Sequence, residues 1–239
     1  MIFIEIARLT VRAVLGRRRT VLMLVLSAIP ILVGLLVRAN SDGVNELGQT
    51  LDGLVVRIIL PLVALVFGTA ALGSELEDGT AVHLLTKPIS RITVVLAKVA
   101  VAGTLTALLV VPSTLLSAVL LAGPGTGLVN VAMSLGAGVL AGSYVYAAIF
   151  AALSVITSRG LILGLGYALV WEGLLAGLLP GTQVFSVREY VRGIVHEVSP
   201  SVIDSVVGSA ALLYAAIALV AALGIASYRL ATYEVRGGD

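Results

Sequence analysis

One acid stands apart from the other charges in this chain. Glu172 lies about midway along the apolar run Leu161 to Leu179, where an ionised carboxylate costs about 2.5–3.5 kcal/mol on insertion scales. A carboxylate kept there serves a transported molecule as a polar contact, works as a proton-linked switch, or holds a hydrogen bond to Ser, Thr or Tyr of a neighbouring helix. Trp171 beside it either lines a cavity or packs, and the two residues are the candidates for a substrate path. Other chemistry is poorly provided for. The chain has no Cys, which excludes a disulfide framework, a thiolate metal site and a Cys nucleophile. No G-x-x-x-x-G-K-[ST], G-x-S-x-G or H-E-x-x-H occurs, so neither a P-loop nor a hydrolase centre is expected. The two histidines, His83 and His196, fall in polar segments on opposite sides of the arrangement derived below, which argues against a two-His metal site. No catalytic residue and no metal ligand is therefore assigned.

The elements that must position Glu172 follow from composition. Of 239 residues, 59% are apolar and 12% charged, against roughly 25% charged in a soluble domain. Mean hydropathy is +1.12. These values predict an all-α polytopic membrane protein formed as one domain over 1–239, with no room for an appended soluble ATPase. Uncharged runs of about 20 residues, the length needed to cross ~30 Å of hydrocarbon, place six spans at 20–37, 54–73, 99–122, 129–157, 161–179 and 205–228. Arg57 lies near a span end, where it can snorkel. The 18-residue first run exceeds the 7–15 residues of a signal core and is expected to stay as a span.

Lys and Arg divide unevenly between the two sides of this arrangement. Eleven of the 15 fall on one side: Arg8, Arg12, Arg17, Arg18, Arg19, Lys87, Arg91, Lys98, Arg159, Arg229 and Arg236. Arg38, Arg57, Arg188 and Arg192 fall on the other, while the acids outside the spans split evenly. The positive-inside rule then predicts cytoplasmic termini and a cytoplasmic-membrane location. The same distribution makes the net charge of +2 a matter of topology, and no nucleic-acid partner is expected.

Three polar segments flank the spans. In 1–19, Ile2, Phe3, Ile6, Leu9, Ala13 and Val14 recur at helical spacing opposite Glu5, Arg8 and Arg12, and Arg17, Arg18 and Arg19 suit anionic lipid headgroups. In 74–91, Ser74 and Glu77 have capping-box spacing. Gly79 permits a sharp turn, Thr80 can cap a short helix from Ala81, and Pro88 stops it. In 180–204, Ser186 and Glu189 repeat the capping-box spacing. Val187, Tyr190, Val191, Ile194, Val195 and Val198 form an apolar stripe opposite Arg188, Glu189, Arg192, His196 and Glu197, which predicts an amphipathic helix at the outer boundary. Pairs such as Gly138 and Gly142, Gly160 and Gly164, and Gly173 and Gly177 permit close helix approach. Pro30, Pro61 and Pro112 can kink three spans.

Glu75, Gly79-Thr80, Leu84-Leu85, Lys87-Pro88-Ile89-Ser90-Arg91 and Lys98 together resemble the motif between the second and third spans of ABC type-2 exporter permeases. The resemblance implies that 74–91 is a coupling helix docked on an ATP-binding subunit. It makes Glu75, Gly79, Thr80, Pro88 and Arg91 the coupling residues, with Glu77 the alternative for the motif's Glu. It also implies that Glu5, Arg8 and Arg12 belong to an interface helix and that the 180–204 helix, through Tyr190, Val191 and Ile194, closes the outer end of the path. The implied assembly has two ATP-binding ABC subunits and a second permease copy, identical or a sister chain, in contact with membrane lipid. This chain itself carries no cofactor, ATP and Mg being bound by the partner. The expected function is ATP-driven export of a hydrophobic or amphipathic substrate. A secondary transporter or channel using Glu172, or an integral-membrane lipid-modifying enzyme, is the competing expectation.

Overall fold

The computed structural model describes residues 2–40, 43–77, 90–122, 127–176 and 181–232, with backbone alone at 2, 17, 43–46 and 74–77. The protein is all-helical and polytopic, with no strand among the described residues. Five helical stretches are long and apolar enough to cross a membrane, namely Arg18–Asn40, Leu47–Gly73, Arg91–Leu121, Leu128–Ile156 and Gly208–Ala231. A sixth apolar helix, Gly160–Leu175, is shorter.

In chain order the helices are α1 (Ile2–Val14), α2 (Arg17–Asn40), α3 (Gly43–Thr50), α4 (Leu60–Glu77), α5 (Arg91–Leu121), α6 (Leu128–Ile156), α7 (Gly160–Gly166), α8 (Val187–Val198) and α9 (Ala211–Ala231). Two widened π-helical stretches interrupt them. The first, Leu51–Ile59, joins α3 to α4, and the second, Tyr167–Leu175, continues α7. Pro61 follows the first of these. Its ring would clash with the carbonyl of Arg57 in an α-helical turn, and the wider π turn, in which Leu60 N–H reaches back to Val55 O, relieves that crowding.

Helix α6 runs through the centre and packs on α4, α5, α7, α8 and α9. Between 61% and 72% of the apolar windows of the α3–α4 stretch, α5 and α6 are buried, against 22% for α2 and α9, so these last two form the outside of the bundle. Helix α1 lays Ile6, Thr10 and Val14 on the bundle and leaves Phe3 and Leu9 exposed, splitting the apolar face expected of it. Ile6 joins a core with Leu72, Val94, Val95, Ala148, Ala152 and Ala226, which defines the end of the molecule where α1 lies, here the amino end. Several hydroxyls inside the helices are satisfied locally: Thr69 donates to Leu65 O at 2.7 Å and Thr114 to Val110 O at 2.7 Å, as suits an apolar surrounding.

The third long helix begins at Arg91, ahead of the expected 99. Lys98 is not a flanking charge. It is 1% exposed, folded into the bundle, and donates to Ala71 O of α4 at 2.8 Å. The fifth apolar helix also differs from expectation, since Glu172 lies in its last described turn and at the end of the bundle opposite α1, here the far end.

Candidate functional site

The far end is built around α8. Its predicted apolar stripe is buried at Val187, Tyr190, Val191, Ile194 and Val195, and the receiving surface is a pair of glycines on α6. A Cβ built on Gly138 would lie 2.6 Å from Val195 Cγ2 and 2.9 Å from Val191 O. Gly142 lies against Val191 and Leu60 in the same way. This small-xxx-small pair thus seats α8, and α8 packs onto the bundle end.

The expected capping box does not form. Ser186 occupies the N-cap position, but its hydroxyl makes no hydrogen bond. Glu172 takes its place from another helix. Its Oε1 accepts Val187 N–H at 2.8 Å and Arg188 N–H at 3.4 Å, the orphan donors of the first turn of α8. Tyr167 Oη donates to the same oxygen at 3.0 Å, and Tyr146 Oη donates to Oε2. The carboxylate is 3% exposed and, toward these four donors, acts purely as an acceptor. It joins α6, the second π stretch and α8. Tyr146 is held by stacking on Phe150, with ring centroids 5.8 Å apart. Trp171 Nε1 points to Phe185 O at 3.4 Å, so the indole also reaches the turn that leads into α8.

A second polar cluster adjoins the first. Arg188 Nη2 donates to Asp52 Oδ2 at 2.6 Å, Arg192 Nε lies 3.5 Å from Asp52 Oδ1, and Arg192 Nη1 donates to Glu189 Oε1 at 2.6 Å. Glu189 and Arg192 share with Arg188 the predicted polar face of α8, but that face is not simply open to water. Instead their side chains, with Arg188, are turned against the first π stretch and are 7%, 23% and 16% exposed. The reason is the partner, Asp52, which gives the guanidinium groups a buried counter-charge. Burial opposes the charge on Arg188, and the bond to Asp52 outweighs it, holding the guanidinium above its ordinary range. Burial, with Glu172 nearby, pushes the Tyr190 phenol up. The two π stretches meet here too, where Arg57 Nη2 donates to Gly173 O at 2.6 Å.

This cluster is under-satisfied. Asp52 Oδ1, Ser186 Oγ, Arg188 Nε, Glu189 Oε2 and Arg192 Nε are buried without a hydrogen-bond partner. Unused buried donors and acceptors side by side let a network exchange partners at low cost. Widened π turns in two helices at the same place, a common feature of functional sites, give the backbone matching freedom. Sequence reading did not single out Asp52, Tyr146 or Tyr167. Asp52 is one acid at the start of an apolar run, and the tyrosines sit at positions whose facing helices are set only by packing.

The remaining predicted residues lie elsewhere. Glu5, Arg8 and Arg12 are exposed on one face of α1. Arg91 opens α5, half-buried, beside a groove of about 660 Å³ lined by Ile92, Leu96, Val220, Leu223 and Tyr228. Gly79, Thr80 and Pro88 lie outside the described residues, as do the side chains of Glu75 and Glu77. The structure therefore keeps Arg91 and the α1 charges at the amino end, a bundle length from Glu172.

The chain is thus a polytopic all-helical bundle with an amphipathic helix at each end and a buried polar network at the far end. Residues 15–173, more than half of the chain, match the family described as ABC-2 family transporter protein, and the chain belongs to that family. It is accordingly an ABC transporter permease subunit, a multi-pass protein of the membrane that pairs with an ATP-binding subunit. Comparison with curated proteins found no match.

Proposed function

We propose that this permease is the membrane-spanning half of an ATP-driven exporter, moving a hydrophobic or amphipathic substrate such as a drug, lipid or peptide outward while separate ABC subunits bind Mg and hydrolyse ATP. One observation carries this reading: the far end is closed by α8, and polar groups that can exchange partners hold α8 to three other elements, through Glu172 of the second π stretch with its donor Tyr146 of α6, and through Asp52 of the first π stretch. A closure of that kind suits a gate. The charge distribution supports placing the far end outside and both termini in the cytoplasm, with Gly160–Leu175 as the sixth span.

In this reading the 74–91 segment, through Glu75 or Glu77, Gly79, Thr80, Pro88 and Arg91, receives the movement of the ATP-binding subunits, and Glu5, Arg8 and Arg12 add contacts from α1. Two permease copies, identical or sister chains, form the path. Glu172 and Trp171 meet the cargo once α8 has swung away, because in the closed state their polar atoms are engaged by Val187, Arg188 and Phe185.

The test is ATP turnover by the purified complex of this chain with its ATP-binding subunit. Charge reversal at Glu75 together with Arg91 abolishes substrate-stimulated hydrolysis while assembly persists. Unaltered turnover, or proton-driven uptake by the permease alone, would refute the reading.

A further inference from the structure

Lys98 is the most buried cation among the described residues, and the gate does not use it. It lies in the second turn of α5, 1% exposed, with Nζ 2.8 Å from the carbonyl oxygen of Ala71 on α4. On the same two helices, Leu72, Val94, Val95 and Val99 belong to the apolar core of the amino end. An ammonium in such a place forfeits its hydration, and packing alone would be served as well by an apolar side chain of similar length. What the ammonium adds is a directed, charge-assisted bond between two particular helices. Those helices flank the segment expected to meet the ATP-binding subunit. Helix α4 ends at Glu77 and α5 starts at Arg91, so the Lys98–Ala71 bond crosses the base of that segment.

We propose that Lys98 is a positioning residue for coupling. It clasps α4 to α5 so that a push on the 78–90 segment moves both helices together toward the first π stretch and the gate, where α4 alone or α5 alone would yield. The clasp rests on the exporter reading for its purpose, but it can be examined separately.

Hydrogen exchange by mass spectrometry tests both. In the purified permease, Lys98→Met speeds amide exchange about tenfold or more in Leu72–Glu77 and Arg91–Lys98, the signature of local opening, while the rest of α5 is unchanged. In the complex, ATP with vanadate changes exchange across α8 in the wild type. Lys98→Met keeps assembly and ATP hydrolysis but loses that response at α8. A response at α8 equal to wild type, or unchanged exchange in the two helix ends, overturns the proposal. So does failure of both Lys98→Met and Lys98→Leu to accumulate in membranes, which would make Lys98 a folding residue. Absence of any ATP response at α8 in the wild-type complex counts against the exporter reading, and the exchange of the permease alone then still decides the clasp.

Discussion

Glu172 caps a helix to which it does not belong: its carboxylate accepts the backbone N–H of Val187 at 2.8 Å, while the hydroxyl of Ser186, the residue at the N-cap itself, makes no bond. The backbone donors at the start of α8 are therefore met by a side chain from another helix, and this attachment can be changed without changing α8.

Glu172→Gln replaces an acceptor oxygen by an NH2 group that cannot accept from tyrosine or backbone donors. Tyr146 alone, or Tyr167, Val187 and Arg188 together, lose their acceptor according to which oxygen is replaced, at about 1–3 kcal/mol for each buried group left unpaired. The expected result is a lower thermal midpoint and faster amide exchange at Val187–Val191, with α5 unaffected; exchange of the intact permease checks it.

Ser186→Ala gives the opposite expectation. Loss of a working N-cap serine typically costs about 1 kcal/mol, but here the hydroxyl is buried and unbonded, so its removal is neutral or stabilising, by up to about 1 kcal/mol. Thermal unfolding in detergent distinguishes the two values.

Asp52→Asn removes the counter-charge of Arg188 and weakens that of Arg192. Because both side chains are partly solvated, the loss is about 1–3 kcal/mol, below that of a fully buried pair. The swap Asp52→Arg with Arg188→Asp recovers part of it. A double-mutant cycle on the unfolding midpoint gives the coupling energy, and a coupling of zero would mean that the ion pair does not hold α8.

Gly138→Ala places a methyl group against the Val191 carbonyl and the Val195 side chain. Backbone cannot yield as a flexible side chain does, so α8 is displaced at about 1–3 kcal/mol. Gly166→Ala, where a Cβ meets nothing within 4 Å, is the control and is expected to be neutral or slightly stabilising. Limited proteolysis in the 181–186 turn separates the pair.

Much of the architecture was legible beforehand because hydrophobic length and helical period are local properties. Uncharged runs located the apolar helices, and the i, i+3, i+4 stripe from Val187 to Val198 located α8. Its packing partner was not legible. The stripe could have met lipid headgroups, and only the glycine pair on α6 shows that it meets protein. The partner of the polar face was not legible for the same reason: Asp52, 136 residues from Arg188 in sequence, is brought opposite Arg188 and Arg192 only by the fold. Lys98 read as a flanking charge because sequence position says nothing about which neighbouring carbonyl can receive an ammonium.

The sequence by itself determined that this chain is a helical membrane protein with charge biased to one side, and that Glu172 is an acid in need of a reason, since the cost of placing charge in hydrocarbon depends only on residue type and depth. Tertiary structure alone decided what the reason is. A buried carboxylate needs donors within hydrogen-bond reach, and Tyr146, Tyr167, Val187 and Arg188 reach Glu172 only because α6, the second π stretch and α8 converge at the far end of the bundle.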